Sequence, residues 1–207
     1  MKFSHVFALA LLATLGCGGL ARAADVAGDG EKAALKATIV NCATCHGAKG
    51  HSVSPTFPNL AAQTAPYIEA QLKAFKDQSR GDPDAQAYMW GMASQLSDEK
   101  ISALAAYFSA QTPAPGHAGN PKLVAQGRKL FDEGVPARGI PPCASCHGAN
   151  AEGQAVFPRL AGQHAPYLFK QLLVIQNVLR TAPVMHGVIK DLTRDQMQAV
   201  VAYLESI

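Results

Sequence analysis

An all-α protein made of two tandem domains is predicted by three observations. These are a duplication at a spacing near 100 residues, apolar positions that recur at helical intervals in both copies, and a Pro/Gly-rich stretch between them. The balance of 48% apolar, 16% charged and 7% aromatic residues in a chain of 207 excludes both a disordered polymer and a multi-span membrane protein. A formal charge of +3 is too weak to argue for a nucleic-acid partner.

The first residues read as an export leader rather than as part of the fold. Lys2 supplies a positive start, Val6 to Leu15 is an apolar run too short to span a bilayer, and Ala21-Arg22-Ala23 is a small-residue cleavage site. The expectation is a signal peptide over 1–23, cleaved after Ala23. A lipoprotein leader would want Leu three residues before Cys17, where Thr14 stands. Without Lys2 and Arg22, 16 basic residues face 15 acidic ones, so the exported chain is nearly neutral.

The duplication is read from matched landmarks. Phe57-Pro58-Asn59-Leu60 recurs 100 residues on as Phe157-Pro158-Arg159-Leu160, and Ala65-Pro66-Tyr67 recurs as Ala165-Pro166-Tyr167. Met89, Leu96 and Tyr107 return as Met185, Leu192 and Tyr203 at an offset of 96. Thr112 to Pro121 breaks helices and reads as a linker. The expected division is a first domain over 24–111, a linker over 112–121 and a second domain over 122–207.

Within each copy the elements follow in order. Pro66 suits the first turn of a helix whose apolar stripe is Ile68, Leu72 and Phe75, matched by Leu168, Leu172 and Ile175. The last helix of each copy starts at a capping hydroxyl, Ser97 or Thr193, with Gln196 completing a capping box after Thr193. Leu96 with Ile101, and Leu192 with Met197, occupy the positions of a hydrophobic staple. Ile101, Leu104 and Phe108, or Met197, Val200 and Leu204, form the face that turns inward.

Beyond the leader, four cysteines remain as Cys42-Ala43-Thr44-Cys45-His46 and Cys143-Ala144-Ser145-Cys146-His147. Cys-x-x-Cys alone could mean a disulfide, a redox dithiol or zinc, but a histidine directly after each pair is the attachment signature of c-type haem. Two thiols one helical step apart can each form a thioether to a haem vinyl group. The adjacent imidazole is then delivered to the iron. For domains of about 90 residues, a buried porphyrin also supplies apolar area that a small core lacks.

The iron needs a sixth ligand, and a thioether raises the potential and closes the site, as an electron carrier requires. Met89 lies seven residues before Leu96 and Met185 seven before Leu192, so repeat register favours this pair. Met92 competes in the first copy, but its counterpart is Val188. Among the histidines, His164 matches Thr64 and His186 matches Trp90, while His51 and His117 fall in loop-like segments, so none recurs as a ligand.

With these duplicated motifs the chain resembles the class I c-type cytochromes, and specifically the di-haem cytochrome c4 family, over essentially its whole exported length. The resemblance implies two small all-α domains, each with one covalent haem. In each, a first helix leads into the attachment site and crosses the terminal helix. It also implies that the carbonyls of Pro58 and Pro158 accept a hydrogen bond from Nδ1 of His46 and His147, fixing the rings. Gly127 suits a close helix crossing in the second copy, whereas the first offers only Gly30 with Ala33-Ala34-Leu35. Extra residues, Gly134 to Pro142 in the second copy and Gly81 to Tyr88 in the first, predict unequal haem environments and unequal potentials.

Ala24 to Gly116 carries 7 basic and 9 acidic residues, and Pro121 to Ile207 carries 9 basic and 6 acidic, so the molecule is dipolar. Arg80 and Arg180, 100 residues apart, are placed to meet haem propionates. The function implied is that of a periplasmic carrier of single electrons from a membrane quinol-oxidising complex toward a terminal oxidase, with no bond chemistry of its own. Its partners are redox proteins, and the resemblance admits peripheral membrane association. The alternatives are a cytochrome subunit of a periplasmic dehydrogenase and, against the two methionines, a di-haem peroxidase.

Overall fold

The computed structural model describes residues 18–207, with side chains from residue 29 onward. Most of the expected leader, with Cys17, lies outside the described residues.

The first half comprises α1 (Gly18–His46), α2 (Ala65–Lys76), a π turn at Ala85–Met89, α3 (Trp90–Ala93) and α4 (Asp98–Ser109). The second half comprises α5 (Pro121–Glu133), α6 (Ala144–His147), α7 (Ala165–Gln176), α8 (Pro183–Ile189) and α9 (Arg194–Ser206). Among the described residues the only β pairing is two isolated bridges. No described helix is long and apolar enough to cross a membrane.

Local chemistry accounts for these boundaries. Pro66 and Pro166 sit in the first turns of α2 and α7, where their missing N–H groups cost nothing. Ser97 Oγ accepts from Lys100 N at 3.3 Å at the start of α4. Thr193 and Gln196 form the reciprocal capping box that opens α9. Inside, Ile101, Leu104 and Phe108 of α4 and Met197, Val200 and Leu204 of α9 are buried. Each fully buried side chain of this size contributes about 1.5–3 kcal/mol.

The two halves differ in how their first and last helices meet. α5 and α9 run in close contact along much of their length, and a Cβ on Gly127 would lie 1.9 Å from the carbonyl oxygen of Ala199. Only glycine permits that approach. In the first half α1 and α4 touch at few points, and nothing lies within 4 Å of a Cβ on Gly30. Leu35 and Ile39 pack there against the cluster of Ile68, Leu104 and Phe108. Side-chain bulk thus takes the place of the close crossing that the resemblance implied for this half.

Both insertions take defined positions. The second-half loop is closed by Val135 pairing with Ile140, and Arg138 reaches the carbonyl of Asp191 at the α8–α9 corner. The first-half stretch carries the buried Asp82 and ends in the π turn that brings Met89 to its place. Such turns mark sites where one extra residue redirects a helix.

The halves are joined through polar contacts related by the repeat. Gln63 bonds the backbone N and O of Arg159, and Gln163 bonds those of Asn59. Thr64 donates to Ala155 O at 2.7 Å, and His164 Nε2 pairs with Ser52 O at 3.0 Å. The linker lies along the end of α9, with His117 N donating to Glu205 O at 2.8 Å.

Candidate functional site

Helix α1 ends in Cys42, Cys45 and His46, and the i, i+3, i+4 spacing sets two thiols and one imidazole on the same face of its last turn. In the second half Cys143 caps the single turn of α6, which carries Cys146 and His147. Each chain then turns sharply at a glycine. Gly47 has φ 74°, and a Cβ there would lie 1.8 Å from His51 O, so the reversal after the imidazole requires glycine.

Both imidazoles are buried and held from behind. His46 Nδ1 lies 2.9 Å from Pro58 O, and His147 Nδ1 lies 2.9 Å from Pro158 O. A carbonyl can only accept, so Nδ1 carries the proton and Nε2 presents its lone pair. Burial pushes both rings below the ordinary histidine pKa, with the proline carbonyls opposing in part. The result is a neutral, oriented imidazole, the form that binds a metal. Phe57 and Phe157 stand edge-on to these rings at centroid distances of 6.1 and 6.3 Å.

Neither Cys42 nor Cys143 has the depressed thiol of a redox dithiol. Burial raises the Cys42 thiol and pushes Cys143 up to about 11, whereas a reactive cysteine needs a depressed pKa. None of the four forms a disulfide. Cys42, Cys143 and Cys146 are half-buried and Cys45 is exposed, on the same turns as the two imidazoles.

The groups converge on internal space. A cavity of about 570 Å³ is lined by Cys42, His46 and Met89 from the first half and by Cys143, Cys146, His147 and Met185 from the second. An adjoining cavity of about 470 Å³ is lined by Cys42, Cys45, His46, Met89 and Met92. Met89 borders both spaces, and Met92 borders only the smaller and is exposed. His51, His164 and His186 instead bond backbone oxygens of Thr112, Ser52 and Ile175, and none borders either cavity.

A polar cluster between the halves borders the larger cavity. Arg80 donates to Gln71 Oε1 at 2.7 Å and to Gln171 Oε1 at 3.0 Å. Arg180 donates to Gln171 Oε1 at 2.6 Å, to Gln71 Oε1 at 2.9 Å and to the Tyr67 hydroxyl at 2.8 Å. Both arginines are buried. Burial raises the phenol of Tyr167; at Tyr67 burial acts the same way, but the charges of Arg180 and Arg80 outweigh it and draw the phenol down. Two buried guanidiniums at an apolar cavity suit a flat apolar group that carries carboxylates, which is what a haem with its propionates is.

The sequence reading named the arginines but not Gln63, Gln163, Gln71 or Gln171. All four recur at an offset of 100, and that recurrence of a polar residue was the available signal.

The cytochrome c family profile matches residues 28–111 and again residues 124–207. The chain is 38% identical to cytochrome c4 of Pseudomonas aeruginosa over 205 residues, covering 96% of this chain and 97% of that one. It is 35% identical over 179 residues to a thiosulfate dehydrogenase electron acceptor of Thiomonas intermedia, covering 83% of this chain and 81% of that one. The solved structure of Acidithiobacillus ferrooxidans cytochrome c4 superposes with a TM-score of 0.78 at 41% identity, covering 81% of this chain and 99% of that chain. Two attachment motifs on two matching domains, with neutral imidazoles facing one apolar space, identify the chain as a member of the cytochrome c4 family, an electron carrier with two covalently bound c-type haems.

Proposed function

We propose that the protein is a periplasmic carrier that passes single electrons from a quinol-oxidising membrane complex to a terminal oxidase. In this reading Cys42 and Cys45 bond one haem and Cys143 and Cys146 the other. His46 and Met89 would hold the first iron, and His147 and Met185 the second. When bound, the haems supply reversible one-electron chemistry. The chain's own residues hold, orient and dry them: Pro58 and Pro158 fix the imidazoles, the apolar lining excludes water, and Arg80 and Arg180 offer N–H groups to the propionates. The domains are 24–111 and 122–207, after a leader removed at Ala23.

The observation that carries this reading is the pair of buried imidazoles with Nδ1 bonded to a proline carbonyl and a methionine bordering the same cavity. A methionine on each iron leaves no open position for oxygen chemistry, which separates a carrier from a peroxidase. The test is exposure of the reduced protein to carbon monoxide with the Met–iron charge-transfer band recorded. A carrier keeps both bands and binds no gas; rapid binding at either haem refutes the assignment.

A second reading is an electron acceptor of a periplasmic dehydrogenase, supported by the similarity to the Thiomonas intermedia acceptor. The ligands are the same in both. Gel filtration of the native extract distinguishes them, since a permanent subunit elutes with its enzyme and a free carrier elutes alone.

A further inference from the structure

Every member of the buried interdomain cluster has a counterpart 100 residues away except one. Tyr67, Gln71 and Arg80 match Tyr167, Gln171 and Arg180. Asp82 lies in the stretch where the first half is longer, with nine residues from Arg80 to Met89 against five from Arg180 to Met185. It is 1% exposed, its Oδ2 accepts from Arg80 Nε at 2.8 Å, and its Oδ1 has no partner among the described residues.

A buried carboxylate with one oxygen unsatisfied is costly. The architecture does not require it: Arg180 reaches Gln171, Gln71 and Tyr67 with no carboxylate bonded to it. What Asp82 changes is charge. It offsets Arg80, in a setting where burial weakens screening, whereas among the described residues no carboxylate pairs with Arg180. Asp82 bonds the first-half arginine and lies just before the π turn that carries Met89, so its charge belongs to the first half.

Oxidation of a haem adds one positive charge at the iron. A nearby buried carboxylate favours that state. Building on the ligand assignment above, we infer that Asp82 makes the two haems unequal, holding the first-half haem at a lower reduction potential than the second-half haem. The singly reduced protein then keeps its electron in the second half. The biased step is the passage of one electron from one haem to the other, with no bond made or broken and no proton moved.

The test is a spectroelectrochemical titration of the haem-loaded protein. The two haems are distinguished by the shifted methyl resonances of their iron-bound methionines. D82N keeps an oxygen for Arg80 Nε but loses the charge. It is expected to raise the first-half haem more than the second, shrinking the electron-partition constant by about threefold to tenfold, where tenfold corresponds to 59 mV. D98N, at the exposed carboxylate paired with Lys76, is expected to leave it unchanged. D82S covers the case in which D82N fails to load both haems, and carries the same expectation. An unmoved partition in D82N, or a wild-type protein whose first-half haem has the higher potential, overturns the inference. If wild-type protein lacks either methionine methyl signal, the ligand assignment fails instead. Normal ligation with an unmoved partition refutes the role of Asp82 alone.

Discussion

Gln163 grips the backbone of Asn59 at both its polar atoms: Oε1 accepts from Asn59 N at 2.9 Å and Nε2 donates to Asn59 O at 3.0 Å. Gln63 does the same to Arg159, at 2.7 and 3.0 Å. Asn59 and Arg159 directly follow the prolines whose carbonyls hold His46 and His147. The joint between the halves is therefore one residue from the support of each imidazole.

Truncating either glutamine removes its two hydrogen bonds across the joint, each worth about 1 kcal/mol net. Q163A is expected to lose about 2 kcal/mol, read as a lower midpoint in urea. Q63A/Q163A is expected to split a single unfolding transition into two, one per half. A single transition at the wild-type midpoint would show that the joint contributes nothing.

Glycine substitutions should have opposite signs in the two first helices. G127A drives a methyl into Ala199 O and is expected to cost 1–3 kcal/mol or more, of the order seen for overpacking. G30A meets nothing within 4 Å and is expected to gain up to about 1 kcal/mol from helix propensity. Denaturation of the two haem-loaded variants checks both.

Met89 and Met92 can be separated directly. M89A is expected to open one iron to carbon monoxide and to remove one of two charge-transfer bands. M185A does the same for the other half, and M92A leaves both bands intact. Gas binding in M92A with M89A silent would reverse the assignment.

Val178, exposed at the end of α7, has φ 60°, a conformation that β-branched residues avoid. Its counterpart Gln78 has φ 62°. V178G relieves steric strain but adds unfolded-chain entropy, and the net expected is a gain of up to about 1 kcal/mol in unfolding free energy.

The amino-acid sequence alone determined the duplication, the helical periodicity of Ile68–Leu72–Phe75 and its repeat, the caps at Ser97 and Thr193, and the two attachment motifs. These are short-range: a cap, a stripe or a Cys-x-x-Cys-His acts within a few residues of itself, so its chemistry can be read along the chain. Only the tertiary structure decided that α1 and α4 meet through Leu35 and Ile39 and not at Gly30. It alone brought Gln63 to Arg159, Arg180 to Tyr67, and Asp82 to a buried place beside Arg80. Those relationships join residues that lie far apart in the chain or, for Asp82, depend on burial by distant elements. Periodicity carries no record of which polar side chain another half will meet, because that is settled by how two packed surfaces come together.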